Sequence, residues 1–412
     1  MFFQIIFIFS IIGEIFLSII LELLNLNHLK KSTQISDRKL VDIFSNEYLT
    51  QTYDYNFLNF ILDTISDLVN YSFFLFFIFS DFFIKLNILI SNYFSSPILA
   101  NIIFMLFFGF ILYLINLPFE IYKIFYIEKI FGFSTIKIKT FILDNIKMLL
   151  LSAFFGSLLL FVVFKFILFF QNSWYIYATI VIIIFQLFII KIFPTFIAPL
   201  FNKFTPLSDE NLKEQIKNIA IKSGYSITNI FVSDASKRTK HSNAYFTGFG
   251  KNKQIVLFDN LLSQLNNEEI LAVISHEIGH YKKKHIWLLF FINVIFQFIM
   301  FYLIFVLSYY SPFLSAFKIN NTNYLFKFIF TIIWLQVFFW FLSFPITFIT
   351  RKTEFSADKF SFDLLNSAKP LISALIKLTK DNLSNPYPYH LYSKLYYSHP
   401  PLIERIDYLQ KL

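Results

Sequence analysis

His276-Glu277-Ile278-Gly279-His280 sets two imidazoles four residues apart, with a carboxylate beside the first. On a helix, positions i and i+4 share a face. Both rings then reach one metal ion, and Glu277 lies within reach of a water beside it. A chain with seven His and twelve Glu in 412 residues meets this pattern by chance about 0.003 times. The preceding Ile270-Leu271-Ala272-Val273-Ile274 is apolar and places the helix in a core. Two neutral histidines and a carboxylate are costly there without a shared partner. Zinc, one ion per chain, is the expected partner, with His276 and His280 as ligands.

A catalytic zinc takes three protein ligands and keeps one position open. No His follows His280 at the short spacing of three-His sites, and His285 falls on a different helix face. A carboxylate from a second helix is the other solution. Glu354 is the candidate, in Arg351-Lys352-Thr353-Glu354-Phe355-Ser356-Ala357-Asp358. Asp358, four residues on and on the same face, is placed to accept the ring N–H of a ligand His and fix its tautomer.

The elements that must bring these residues together are membrane spans. A helix needs about 20 apolar residues to cross a bilayer, and seven segments qualify: 1–26, 57–80, 99–117, 148–170, 174–190, 286–307 and 326–349. The first lacks a basic n-region and a small-residue cleavage site, so it is read as a retained span rather than a signal peptide. Connections 27–56, 118–147, 191–285 and the tail 350–412 carry the basic residues. Counting only 15 residues beside each span in the two long ones, they hold 17 Lys and Arg, against Lys85 and Lys318 on the other side. The basic side is then cytoplasmic and the N-terminus lies opposite. His280 sits just before the sixth span and Glu354 just after the seventh, so two adjacent antiparallel spans bring them together.

Residues 205–285 read as soluble structure. Ser208 or Asp209 caps a helix that Gly224 ends, Ile230–Val232 and Ile255–Phe258 read as strands, and Asn266 caps the HExxH helix. The tail reads as helices broken near Asn385–Tyr389.

Composition narrows the classes further. The chain is 57% hydrophobic and 15% charged with 61 Phe, and its mean hydropathy is +0.62. Disorder is excluded. The absence of Cys excludes disulfides, thiolate metal sites and a Cys nucleophile. Eight scattered Gly leave no phosphate loop; after Gly248 and Gly250, Lys253 stands where a third Gly belongs. The net charge of +9 is read as topology, with no nucleic-acid partner.

With HEIGH followed by EFSAD after one membrane hairpin, the sequence resembles the type I CAAX prenyl proteases, integral-membrane zinc metalloproteases. Further stretches carry the likeness: Leu117-Pro118-Phe119 with Ile127–Phe133, Ile197–Leu207, Ser242–Phe246, Lys253–Asp259, and Ser398-His399-Pro400-Pro401-Leu402-Ile403-Glu404-Arg405-Ile406. It runs from about 117 to 408, with Tyr281 where the family usually has Trp. The resemblance implies a mainly α membrane protein: seven transmembrane helices around a large water-filled chamber, with a small α+β zincin-like cytoplasmic domain. The division expected is 1–197 for spans 1–5, 198–285 for the zincin-like domain, 286–350 for spans 6–7, and 351–412 for a helical tail completing the site. A chamber would also account for intramembrane Glu14, Glu22, Asp63, Asp67 and Lys165.

The resemblance also implies roles. Glu277 is the general base, His399 stands near the zinc as a donor to the oxyanion, and Arg405 holds a carboxylate, either that of Glu354 or Asp358 or that of the substrate. Residues 243–249 form an edge strand, with Asn243, Ala244, Tyr245 and Phe246 binding an extended substrate through its backbone. The substrate class implied is prenylated proteins ending in Cys-aliphatic-aliphatic-X, cut to release the last three residues, with a second upstream cut in some. The expected setting is the endoplasmic reticulum and inner nuclear membranes, with the site facing the cytoplasm and the N-terminus lumenal. The alternative is a broader-specificity membrane quality-control zinc protease, which is not expected to share the IEKIFGF and SHPPLIERI stretches.

Overall fold

A computed structural model describes residues 2–32, 43–225, 227–247, 254–317, 319 and 324–412. Lys318, Gly248, Phe249, Gly250 and Lys253, which enter the readings above, lie outside these residues.

Seven helices among the described residues are long and apolar enough to cross a membrane: α1 (Phe2–Ser32), α2 (Asn46–Phe79), α3 (Pro97–Ile130), α4 (Ile138–Phe169), α5 (Trp174–Phe201), α8 (His285–Tyr309) and α9 (Tyr324–Leu365). They match the seven expected segments, and most extend well beyond them. Several of the extensions, 46–56 and 351–365 among them, are polar or amphipathic, so hydropathy alone misses them. The second span, for example, begins at Asn46 under the cap of Ser45, whose side chain accepts from the Tyr48 N–H. Between the spans lie α6 (Glu210–Lys222) and α7 (Asn267–Lys282); α10 (Lys369–Asp381), α11 (His390–Tyr396) and α12 (Leu402–Leu409) follow.

Aromatic packing closes one end of the bundle. Phe7, Phe77, Phe83, Phe104, Phe164 and Phe313 are almost wholly buried and belong to one cluster. Elsewhere the helices stand apart. Glu14, Asp67, Tyr71, Gln336, Trp340 and Tyr396 line a cavity of about 310 Å³. A second cavity of about 240 Å³ shares Asp67, Tyr71 and Gln336 and adds Asn70 and Asn116. Glu14, Asp67, Asn70 and Asn116 of the spans thus face internal space. Asp63 pairs with Lys123 at 3.8 Å, and the Lys165 ammonium lies over the Phe161 and Phe169 rings.

A four-stranded sheet backs the HExxH helix: β1 (Phe204–Pro206), β2 (Asn229–Ser233), β3 (Ala244–Thr247) and β4 (Gln254–Phe258) in the order β1-β2-β4-β3. β2 and β4 run parallel, and β3 pairs antiparallel with β4, Tyr245 opposite Val256. β3 is therefore an edge, as expected over its described residues. β1 was not expected, because three residues ending in Pro carry no strand pattern; Pro206 is tolerated there because β1 is the opposite edge. Ile255, Leu257, Ile270, Ile274 and Ile278 fill the core between sheet and helix. Asp209 caps α6, and Gly224, at φ +67°, ends it in a conformation that favours glycine.

Candidate metal centre

α7 begins in a capping box. Asn266 accepts from the Glu269 N–H, and the Glu269 carboxylate accepts from the Asn266 N–H. The same carboxylate takes Ser373 Oγ at 2.6 Å and Lys377 Nζ at 2.8 Å from α10, which fixes the helix on its tail-side neighbour.

α9 has 42 residues, about 63 Å at 1.5 Å per residue, against a hydrocarbon core of about 30 Å. It crosses the expected boundary at 350 without a break and carries Glu354, Asp358 and Ser361 onto α7. Gly279 permits the approach. A Cβ there would meet Ala357 Cα and Phe360 Cβ at 3.1 Å each, closer than ordinary contact. Ser361 Oγ donates to the Ala272 carbonyl at 3.0 Å across the same seam.

Three donor atoms converge at this junction. The His276 and His280 Nε2 atoms are 3.1 Å apart. Glu354 Oε2 is 3.4 Å from His276 Nε2, and Oε1 is 3.3 Å from His280 Nε2. Tetrahedral ligands at zinc–nitrogen distances of about 2.0–2.1 Å stand about 3.3 Å from one another. Two further observations call for a cation. Asp358 Oδ1 takes His276 Nδ1 at 2.8 Å, so the ring hydrogen sits on Nδ1 and the Nε2 lone pair points inward. Glu354 Oε2 is buried without a hydrogen-bond partner. The donor set fits a metal ion.

Arg405 is buried. It donates from Nε to Asp358 Oδ2 at 2.8 Å and from Nη2 to Asp358 Oδ1, and Nη1 lies 3.9 Å from Glu354 Oε2. Of the two carboxylates expected for it, Asp358 is the one it grips. Glu404 goes instead to Arg351, at 2.6 Å. His399 Nε2 reaches Glu354 Oε1 at 3.4 Å, and Ser398 Oγ meets its Nδ1 at 2.9 Å; its side chain stays 65% exposed, open to a substrate. Burial pushes the Glu277 carboxyl above its usual range, partly offset by the neighbouring histidines. Among the described residues no hydrogen bond joins Asn243 to this cluster; its Oδ1 accepts from the Ala244 N–H at 2.8 Å.

Two histidines escaped the sequence reading. His285 is not on another face of the HExxH helix. α7 ends at Lys282, Lys284 takes φ +59°, and the turn brings the buried His285 Nδ1 to 3.2 Å from His280 Nδ1. It stands behind His280 as Asp358 stands behind His276. His241, in the approach to β3, joins Asn382 Oδ1 at 2.6 Å and Glu128 Oε2 at 3.1 Å and stacks on Phe133. Its bond to Glu128 raises its pKa above the usual value, against burial. This explains the IEKIFGF stretch: it anchors the edge strand to the end of α3. A histidine five residues past HExxH was the one visible signal for the first; nothing local marked the second.

Residues 206–412 match the model of peptidase family M48, and residues 25–203 match a model described as CAAX prenyl protease N-terminal, five membrane helices. The chain is 34% identical to the human CAAX prenyl protease 1 homolog, over 73% of this chain and 71% of that one. It is 38% identical to the Arabidopsis thaliana homolog, over 71% and 69%. With Saccharomyces cerevisiae CAAX prenyl protease 1 the identity is 36%, over 72% and 69%. Its fold is similar to the crystal structure of S. mikatae Ste24p, with TM-score 0.89 and 31% identity over 99% of this chain and 98% of that one.

Proposed function

Since the chain belongs to peptidase family M48 as a multi-pass membrane metalloprotease of the CAAX prenyl protease 1 type, we propose that it removes the C-terminal aaX tripeptide from prenylated CaaX proteins. A second, upstream cut in some substrates belongs to the same reading. The observation that carries it is the triangle of donor atoms on His276, His280 and Glu354, with Glu277 beside it and an edge strand packed on the same helix.

The ion proposed is zinc, one per chain. When bound, it would polarise the scissile carbonyl and make a water more acidic. Glu277 takes the proton from the attacking water and returns it to the leaving amine; a carboxyl raised by burial suits both transfers. His399 donates to the developing oxyanion. Asp358 holds His276 in the tautomer that turns Nε2 inward, and Arg405 holds Asp358. Residues 244–246 pair with the substrate backbone, and the Asn243 amide N–H₂ is free to add a donor. The chamber takes the prenyl chain, whose burial is favourable by about 0.8 kcal/mol per CH₂. The basic connections place this site on the cytoplasmic side and the N-terminus in the lumen, with the endoplasmic reticulum and inner nuclear membranes as the setting.

The test is release of the tripeptide from a prenylated C-terminal peptide, with and without chelator. Tripeptide that appears only without chelator and only from the prenylated peptide supports the reading. Equal cutting of the unprenylated peptide overturns the prenyl-specific reading in favour of a broader membrane protease.

A further inference from the structure

A cavity of about 630 Å³ opens where α4 and α5 meet the peptidase domain, lined by Asp144 and Lys147 of α4, Lys203 just beyond α5, and Asp234, Lys237 and Arg238 after β2. None of these belongs to the metal centre. α4 is about 48 Å long at 1.5 Å per residue, more than the hydrocarbon core needs. Its first turns therefore stand in the headgroup layer.

The polar groups divide into a fixed floor and a free pair. Arg238 Nε donates to Asp144 Oδ2 at 2.8 Å, and Nη1 to Asn202 Oδ1 at 3.0 Å. Lys147 Nζ donates to the Leu200 carbonyl at 2.7 Å and stands 3.5 Å from Asp144. Asp234 Oδ1 accepts the Lys203 backbone N–H. The Lys203 and Lys237 side chains are exposed, and among the described residues no hydrogen bond or ion pair engages either ammonium. Four cations face two acids, a surplus of two positive charges with two ammoniums unspent. The same rim also carries exposed apolar side chains: Leu143 is 46% exposed and Leu200 48%. A cationic floor under an apolar lip at this depth suits an anion that carries its own acyl chains.

We propose that this cavity binds a phosphate-bearing anion, the headgroup of an anionic phospholipid in the leaflet next to the peptidase domain, with Lys203 and Lys237 closing on the phosphate. Arg238 lies on the segment that leads into β3, so an occupied cavity ties the substrate strand to the bilayer surface.

The full-length protein, purified into nanodiscs of phosphatidylcholine with a minor share of phosphatidic acid, is read by native mass spectrometry for retained lipid. The wild type should retain phosphatidic acid over phosphatidylcholine. The double variant Lys203→Gln/Lys237→Gln should lose about thirtyfold of that preference, the scale for removing two interfacial cations at about 1 kcal/mol each. A control pair on α6, Lys213→Gln/Lys217→Gln, should keep it. Inorganic phosphate at millimolar concentration should not displace the lipid. Equal retention by wild type and double variant overturns the site. Equal loss in the control pair overturns it in favour of general surface charge, and displacement by inorganic phosphate overturns the lipid as its occupant. Tripeptide release is not the readout, so the site stands or falls apart from the proposed activity.

Discussion

Two groups of carboxylates, at the metal centre and along the bundle interior, are built on opposite plans. At the junction of α7 and α9, each has named partners: Glu354 faces two imidazoles, Asp358 takes both His276 and Arg405, and Glu269 holds a cap, a serine and a lysine. Along the inner wall of α1 and α2, Glu14 and Asp67 line a cavity with no ion-pair partner among the described residues, and the exposed Asp63 pairs with Lys123 at 3.8 Å. The packing differs in the same sense. Half of the most apolar stretch of α9 is buried in protein, against 17% of those of α1 and α2. The junction fixes each atom and thereby a ligand geometry; the wall leaves its acids to whatever enters the chamber. Chemistry that needs sub-ångström placement belongs to the first plan.

The largest expected effect separates the two plans through activity. Glu277→Gln should cut tripeptide release by about 10²–10⁴-fold while metal content, read by atomic absorption, stays that of wild type. Glu14→Gln, on the wall, should stay within a few-fold of wild type. Comparable losses in both would break the contrast. Next in size is the grip on the ion. Asp358→Asn should weaken metal affinity by about 10–100-fold in chelator competition, and Asp63→Asn should leave it unchanged. An unchanged affinity in Asp358→Asn would remove the orienting role.

Packing gives the next contrast. Gly279→Ala forces a methyl against the α9 backbone and should cost about 1–3 kcal/mol, seen as a lower Tm and looser metal binding. Gly156→Ala on α4 meets nothing within 4 Å; better helix propensity should leave it neutral or stabilised by up to about 1 kcal/mol. If Gly279→Ala is as stable as Gly156→Ala, close approach does not set the site.

These contrasts track how far the sequence could be read. The HExxH pair, Glu354 and Asp358 were legible because helical periodicity and two antiparallel spans fix their relative positions. Spans were legible wherever apolar runs reach membrane length, and the edge strand through its pairing partner at 255–258. What escaped depended on contacts with no local signature. The turn at Lys284 that swings His285 onto His280 is set by one left-handed residue. The link from His241 to Glu128 joins residues 113 apart. Even Gly279 reads in sequence as a filler between Ile278 and His280; only the α9 backbone gives it a reason.

The smallest effect asks whether bonding, rather than burial, keeps a junction carboxylate charged. Burial alone would raise Glu269, but the bonds from Lys377, Ser373 and the Asn266 N–H overcome it and hold the carboxyl below its usual range. Its folded pKa is thus lower than the unfolded value of about 4.3. The stability this adds is fully present above about pH 4.3 and is lost as pH falls through the folded pKa. Wild-type Tm should therefore fall as pH drops below about 4.3. Lys377→Met removes the strongest of those bonds, so its Tm should lie below wild type at pH 7, and the gap should narrow in acid. Because other carboxylates also titrate there, the informative quantity is the gap between the two proteins rather than either slope. A gap that stays constant with pH would mean that Lys377 contributes packing alone, and that burial, not bonding, sets the state of Glu269.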